Sequence, residues 1–268
     1  SQGQGGQSVE DQVQMAALIQ GSTDEVKRRP QFSFVVCFIC PLVHPPERLQ
    51  EMIECARFGI PVWLEPTSMM GATGPMSIAG ALVEHTANSL AGLVLMQLLN
   101  PGHPCIFSIA SGSFNMQAGT YVGASPEAVL LHCATAQVAH FYGLPFQGGT
   151  SIDACVPDAQ AGYERMLQAV PMSLAGVNFI HLAFGMMHQM LTASYEQAVI
   201  DNEIFTAAFR LAEGIEVTPE TMALDQLREV GPGGHFIGHD YTLRNFRRLQ
   251  WHPRLTTRVD WGKWQEAF

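Results

Sequence analysis

Charge is scarce in this sequence. Only 14% of its 268 residues are Asp, Glu, Lys or Arg, against 47% apolar ones, where a soluble domain ordinarily carries about 25% charge. Such a composition excludes a disordered chain, which needs low hydrophobicity and high net charge. It implies a surface that is largely covered, by a deep core or by a partner subunit, so a homo-oligomer is expected. Cations are scarcer still: 14 Lys and Arg face 24 Asp and Glu, for a net charge of −10, and Arg165 is the only Lys or Arg between Gly59 and Phe209. A nucleic-acid partner is therefore not expected. The mid-section suits a cationic ligand better than an anionic one.

Long unbroken apolar runs are also missing. Thr86 to Pro126 holds no Asp, Glu, Lys or Arg, yet Asn88, Gln97, Asn100-Pro-Gly-His-Pro104 and Ser111-Gly-Ser113 interrupt it, and a spanning helix needs about 20 continuous apolar residues. No membrane segment is expected, and the chain reads as cytoplasmic. The opening Ser1-Gln-Gly-Gln-Gly-Gly-Gln7 has neither a starting Met nor a signal-peptide core; it reads as the middle of a longer chain.

Several chemical motifs are absent as well. Gly71-Ala-Thr-Gly74 lacks a Walker lysine and matches no dinucleotide fingerprint, and Gly3-Gln-Gly5-Gly6 follows no strand. No Gly-x-Ser-x-Gly elbow occurs, which removes the opening move of many serine hydrolases. The six cysteines lie mostly in apolar segments and read as buried thiols. Cys37 and Cys40 fall in a strand-like run whose period of two turns them to opposite faces, against a redox or zinc role. His235, His239 and Asp240 are the ligand types of a metal hydrolase, but Gly231, Gly233, Gly234 and Gly238 argue against the helix that would align them. No intrinsic metal is expected.

The sequence does contain an alternation of strand and helix. A helix from Ser8 opens the chain, with Val9, Val13, Met15, Ala16 and Ile19 on its apolar face. Strands are predicted over 34–42, 61–65, 105–109, 144–147 and 178–183, and helices over 46–57, 76–99, 126–142 and 159–170. Such βαβ units specify an α/β fold with a parallel sheet covered on both faces. Residues 1–268 read as one domain, with 211–268 as a helical, Arg- and aromatic-rich extension. The five strands, with a sixth candidate at 235–238, suit an open doubly wound sheet but fall short of the eight of a closed barrel.

In parallel α/β folds the working residues gather at the C-terminal ends of strands. Those ends read 64–75, 111–115, 147–153 and 181–185, all long or Gly-rich. Within and beyond them lie distinctive words: Met70-Gly-Ala-Thr-Gly-Pro-Met-Ser-Ile-Ala-Gly-Ala-Leu82, Tyr142-Gly-Leu-Pro145, Asp153-Ala-Cys-Val-Pro-Asp-Ala-Gln-Ala-Gly-Tyr-Glu164, Leu191-Thr-Ala-Ser-Tyr-Glu-Gln-Ala-Val-Ile-Asp-Asn-Glu203 and Val230-Gly-Pro-Gly-Gly-His-Phe-Ile-Gly-His-Asp240. Together they closely resemble the trimethylamine methyltransferase family. The resemblance runs from about Ser8 to the tail, in the family's order.

The resemblance implies a (β/α)8 TIM-barrel, of which this chain holds the later strands. It implies transfer of a methyl group from a methylated amine to the cobalt of a cobalamin-type corrinoid carried by a partner protein. Founding members place pyrrolysine at the barrel mouth; the matching stretch here, Gln147 to Cys155, has ordinary residues, with Cys155 where a lysine is common. The chain is thus similar to the branch that demethylates quaternary amines such as glycine betaine. A methylammonium would be held by aromatic faces and a carboxylate. The candidates are Trp63, Phe107, Phe114, Phe146 and Phe184, with Glu65 or Asp153 for charge; Gln147, Thr150, Ser151 and His181 would meet a betaine carboxylate. The alternative is a truncated or accessory barrel that binds an amine or a corrinoid protein without turnover.

Overall fold

The computed structural model describes residues 5–149 and 151–267. Helix α1 spans Gly6–Gln20 and α2 Thr23–Arg28. The sequence reading missed α2, although Ser22 caps it by accepting from Glu25 N at 3.2 Å, and its acidic first turn and basic last turn complement the helix dipole. Strand β1 (Phe34–Ile39) leads to α3 (Pro46–Phe58), which has Pro46 in its first turn and ends at Gly59, whose φ of 68° suits glycine. Next come β2 (Val62–Thr67), β3 (Met69–Met70), α4 (Ile78–Leu99), β4 (Cys105–Ser108), β5 (Gly112–Asn115) and β6 (Thr120–Val122). They are followed by α5 (Pro126–Phe141), β7 (Phe146–Gly148), α6 (Ala159–Leu174), β8 (Phe179–Ile180), β9 (Met186–Met187), β10 (Thr192–Ala193) and α7 (Tyr195–Ala212). Helices α4, α5, α6 and α7 also open on side-chain caps, Ser77, Ser125, Asp158 and Ser194, each accepting a backbone N–H three residues on. The tail carries α8 (Pro219–Met222), α9 (Leu224–Val230), α10 (Asp240–Leu249) and α11 (Trp261–Ala267), with no buried residue in any of them.

The main sheet has five strands in the order β1-β2-β4-β7-β8, every pair parallel. Sheet order equals chain order, without the reversal that defines a doubly wound sheet. The sheet is open: among the described residues no pairing returns from β8 to β1. Residues 235–238, the sixth strand candidate, are irregular: Gly231-Pro-Gly-Gly234 before them and Gly238 at their end leave no apolar alternation to pair. The β5–β6 hairpin pairs with β3 as a small separate sheet. Helix α6 runs past Pro171, where the sequence suggested a stop; a proline removes its own N–H, yet buried Met172 keeps the last turn in the core.

Strand alternation separates two faces. Phe34, Val36, Phe38, Val62 and Leu64 pack with Val13, Met52 and Met96 in one core cluster, while Phe107 and Phe146 join Leu131 and Ala136 in a second. Burying each such Phe or Leu is worth about 1.5–3 kcal/mol. Helix α4 approaches so closely that a Cβ on Gly92 would lie 2.7 Å from Phe38 Cζ. By composition α4 is long and apolar enough to cross a bilayer, but its inward face carries Glu84, His85, Asn88 and Ser89, all buried in the fold.

Candidate functional site

The other face of the sheet carries a polar layer. The register sets Cys37 against Glu65 and Ser108 against Gln147, and Gln147 is next to Phe179. Glu65 and Ser108 follow the paired Leu64 and Phe107, so their side chains point the same way. Cys37 Sγ donates to Glu65 Oε1 at 3.4 Å and Ser108 Oγ to Glu65 Oε2 at 2.7 Å. Ser108 Oγ also meets the Gln147 side-chain oxygen. Burial, with Glu65 beside it, pushes the Cys37 thiol up to about 12, so it stays protonated and can donate. Three acceptor oxygens therefore share two protons, since a hydroxyl supplies one at a time. All the donors are neutral: among the described residues no basic side chain forms an ion pair with Glu65, which is 5% exposed. The layer favours a ligand that brings positive charge.

Aromatic rings flank it. Trp63, one strand turn before Glu65, meets Phe179 edge-on at 5.3 Å and His181 at 5.6 Å between ring centroids. Its indole N–H is buried without a partner. Burial lowers the His181 pKa while Glu65 opposes the shift, so the imidazole is neutral at pH 7 and offers Glu65 no cation. Phe179 remains 52% exposed on this open face. The strand ends are tied by His132, whose Nε2 meets Ser111 O at 2.8 Å and whose Nδ1 accepts from Gly149 N at 3.0 Å. Burial holds its pKa down to about 4, which keeps the ring neutral in that bridge. A cleft of about 690 Å³ opens at the ends of β1 and β2, bordered by Cys37, Cys40, Arg48, Thr67, Met69 and Tyr121; Cys37 belongs to both cleft and layer.

Of the residues singled out in the sequence, Glu65, Gln147, His181 and Trp63 lie together. Phe107 and Phe146 do not: both are fully buried on the helix side, because the strand period that aims Ser108 and Gln147 inward aims their neighbours outward. The Asp153 carboxylate is occupied, accepting from Gly123 N at 3.0 Å and Ala124 N at 2.9 Å, and so anchors a loop. Phe184 packs tilted against Phe205 of α7 with ring centroids 5.5 Å apart, and Phe114 lies on the β5 hairpin. Ser151 is buried and donates to Ile152 O at 2.9 Å. Thr150 lies outside the described residues. Sequence reasoning missed Cys37 as a partner of Glu65, and also Ser108 and Phe179; alternation within each strand was the signal that would have found them. Cys40 does turn to the opposite face from Cys37, toward Asn88 of α4 at 3.6 Å. His239 caps α10 by accepting from Tyr241 N, with its Nε2 3.3 Å from a Glu229 carboxylate oxygen, and no group of three metal-ligand residues occurs among the described residues.

A family model described as trimethylamine methyltransferase (MTTB) matches residues 2–267. The chain belongs to this family. It is 35% identical to a glycine betaine methyltransferase of Desulfitobacterium hafniense (strain Y51) over 97% of this chain and 55% of that protein. It is 38% identical to the trimethylamine methyltransferase MttB of Methanosarcina barkeri over 92% of this chain and 50% of that protein. A second D. hafniense relative, MttB of strain DSM 10664 / DCB-2, is 36% identical over 98% of this chain and 53% of its own length. The chain spans about half the length of these relatives.

Proposed function

We propose that this chain contributes to a methyltransferase that takes a methyl group from a quaternary amine, with glycine betaine as the model donor, and delivers it to the Co(I) of a corrinoid carried by a partner protein in the cytoplasm. The observation that carries the reading is Glu65: a buried carboxylate held only by neutral donors beside the Trp63, Phe179 and His181 rings. A quaternary ammonium has no N–H to donate, so it is recognised by ring faces, each worth about 0.5–2 kcal/mol, and by unpaired negative charge. The unpartnered Trp63 N–H, and the second amide hydrogen of Gln147, whose Nε2 already donates to Gly148 O at 3.0 Å, are the donors for a betaine carboxylate. Six free cysteines support a reducing compartment.

The reduced cobalt of the partner supplies the nucleophile. A quaternary nitrogen departs as a neutral tertiary amine carrying the electron pair of the broken C–N bond, so no side chain must deliver a proton. The residues of this chain bind, orient and desolvate the donor. Sheet order equal to chain order supports a (β/α)8 barrel of which these are five strands, since right-handed crossovers without reversal keep all helices on one face. It also supports reading 1–268 as one domain with 211–268 as an extension.

The half-length match favours a second reading, an accessory barrel that binds the amine or the corrinoid protein without turnover. Methylation of cob(I)alamin by a panel of quaternary amines separates the two. Turnover is expected with at least one donor, and Glu65→Gln is expected to lower its kcat/KM by about 10- to 100-fold, corresponding to roughly 1.4–2.7 kcal/mol. Full activity in Glu65→Gln would remove the charge assignment; no turnover with any donor would leave the binding reading.

A further inference from the structure

The outside of α4 and α5 has no part in the inner-face site, yet its composition is unusual for solvent-facing helix. Helix α4 turns Ala79, Val83, Ala87, Ala91, Val94 and Leu98 away from the sheet, all exposed and spaced by three or four residues. Such steps keep them on one stripe. Val83 is 68% exposed and Leu98 76%. Helix α5 packs beside α4 and adds exposed Leu130 and Phe141. Apart from Glu127 in the first turn of α5, no Asp, Glu, Lys or Arg occurs from His85 to Ile152.

We propose that this α4–α5 face is a self-association surface that meets the same face of a second copy of this chain. Charge argues for the occupant. Each copy carries a net charge of −10, so two copies repel over most of their surfaces and can approach where charge is absent. In a two-fold contact every residue of the patch faces the same patch, and any charge would meet its own sign. A foreign partner chosen by an acidic protein would instead be recognised by basic groups against carboxylates. Area argues the same way. At 1.5 Å per residue and a diameter of about 10 Å, the two helices offer about 600 Å² per copy. That is about 1,200 Å² over both copies, above the roughly 1,000 Å² that a specific interface needs. The alanines at the centre of the stripe let the helices approach closely.

Sedimentation velocity at micromolar concentration, on the chain and its variants, tests this. The unmodified chain is expected to dimerise. Ala87→Arg/Val94→Arg is expected to weaken the dimer by at least about 100-fold, as like charges brought face to face require, with the circular-dichroism melt unchanged. Leu18→Arg, on another exposed apolar site, should leave the dimer intact. A monomeric unmodified chain, or a double-arginine variant that dimerises like the original, overturns the proposal. If the double variant fails to fold, Ala91→Gln decides: a dimer weakened about tenfold upholds the proposal and an unchanged constant overturns it. Cosedimentation with phosphatidylcholine/phosphatidylglycerol vesicles, lost in the double variant, would assign the face to a bilayer and overturn it too.

Discussion

Arg165, the lone Lys or Arg in the middle of the chain, allows a sharp test of how the α6–α7 corner is held. Its guanidinium is 1% exposed and contacts Asp201 Oδ1 from Nε at 3.1 Å, Gln168 Oε1 from Nη1 at 3.1 Å and Met186 O from Nη2 at 2.9 Å. Asp201, fully buried, also accepts from Gln197 Nε2 at 2.7 Å and Gly185 N at 2.8 Å. Asp201→Ala removes the carboxylate that pairs with a buried cation and strips Gly185 and Gln197 of an acceptor. Removing one member of a buried pair costs about 3–5 kcal/mol. With a urea m-value near 3 kcal/mol per M for a chain of this size, the midpoint should fall by about 1–1.7 M. Replacing both members, Arg165→Met/Asp201→Leu, removes the stranded charge and should recover more than half of that loss. Urea melts followed by circular dichroism measure both. A fall of less than about 0.3 M in Asp201→Ala, or a double variant as unstable as the sum of its single changes, would refute the reasoning.

Three further outcomes are expected. Burial alone would raise the Glu203 pKa, but hydrogen bonds from Thr256 Oγ1 and the backbone N–H groups of Arg254, Leu255 and Thr256 hold it down to about 2. A depressed carboxylate stabilises above its unfolded pKa and loses that effect as pH falls through the folded one. Trypsin cleavage at Arg254, assayed after brief exposure to each pH with refolding prevented by crosslinking, should therefore rise between about pH 4.5 and 2, and no rise would discard the clamp. Gly92→Ala drives a methyl into the Phe38 ring and should cost about 1–3 kcal/mol in a thermal or urea melt; a neutral result would mean that α4 can move off the sheet. Cys155 is the exposed thiol, whereas burial raises the pKa of Cys37, Cys40, Cys55 and Cys105. The fast phase of a thiol titration should vanish in Cys155→Ser, and a fast phase that survives would contradict this burial order.

The α/β alternation was legible because each segment carries its own signal: a short continuous apolar run in the strands, and a cap or proline at the helix starts. Strand ends were read too long where a buried turn continues the apolar run, as at Cys40 after β1. The β5–β6 hairpin escaped because it pairs through backbone groups rather than through an apolar face. At the candidate site, Glu65, Gln147, His181 and Trp63 were found by their place at or near strand ends. Phe107 and Phe146 were misassigned on aromatic character alone, although strand alternation sets them on the face opposite Ser108 and Gln147.

Local chemistry dictated the order of elements, their caps, and the absence of charge that leaves the outside of α4 bare. The union of Glu65 with Ser108 and Gln147 had another origin. These residues stand some forty positions apart, each delivered by a strand that returns through a helix, and only the register of parallel pairing sets them level. A slip of one residue would turn Glu65 toward the helices and Leu64 into the polar layer. Burial of Leu64 and Phe107 in the cores prevents that slip, so the packing of apolar residues on one face of the sheet decides which polar residues meet on the other.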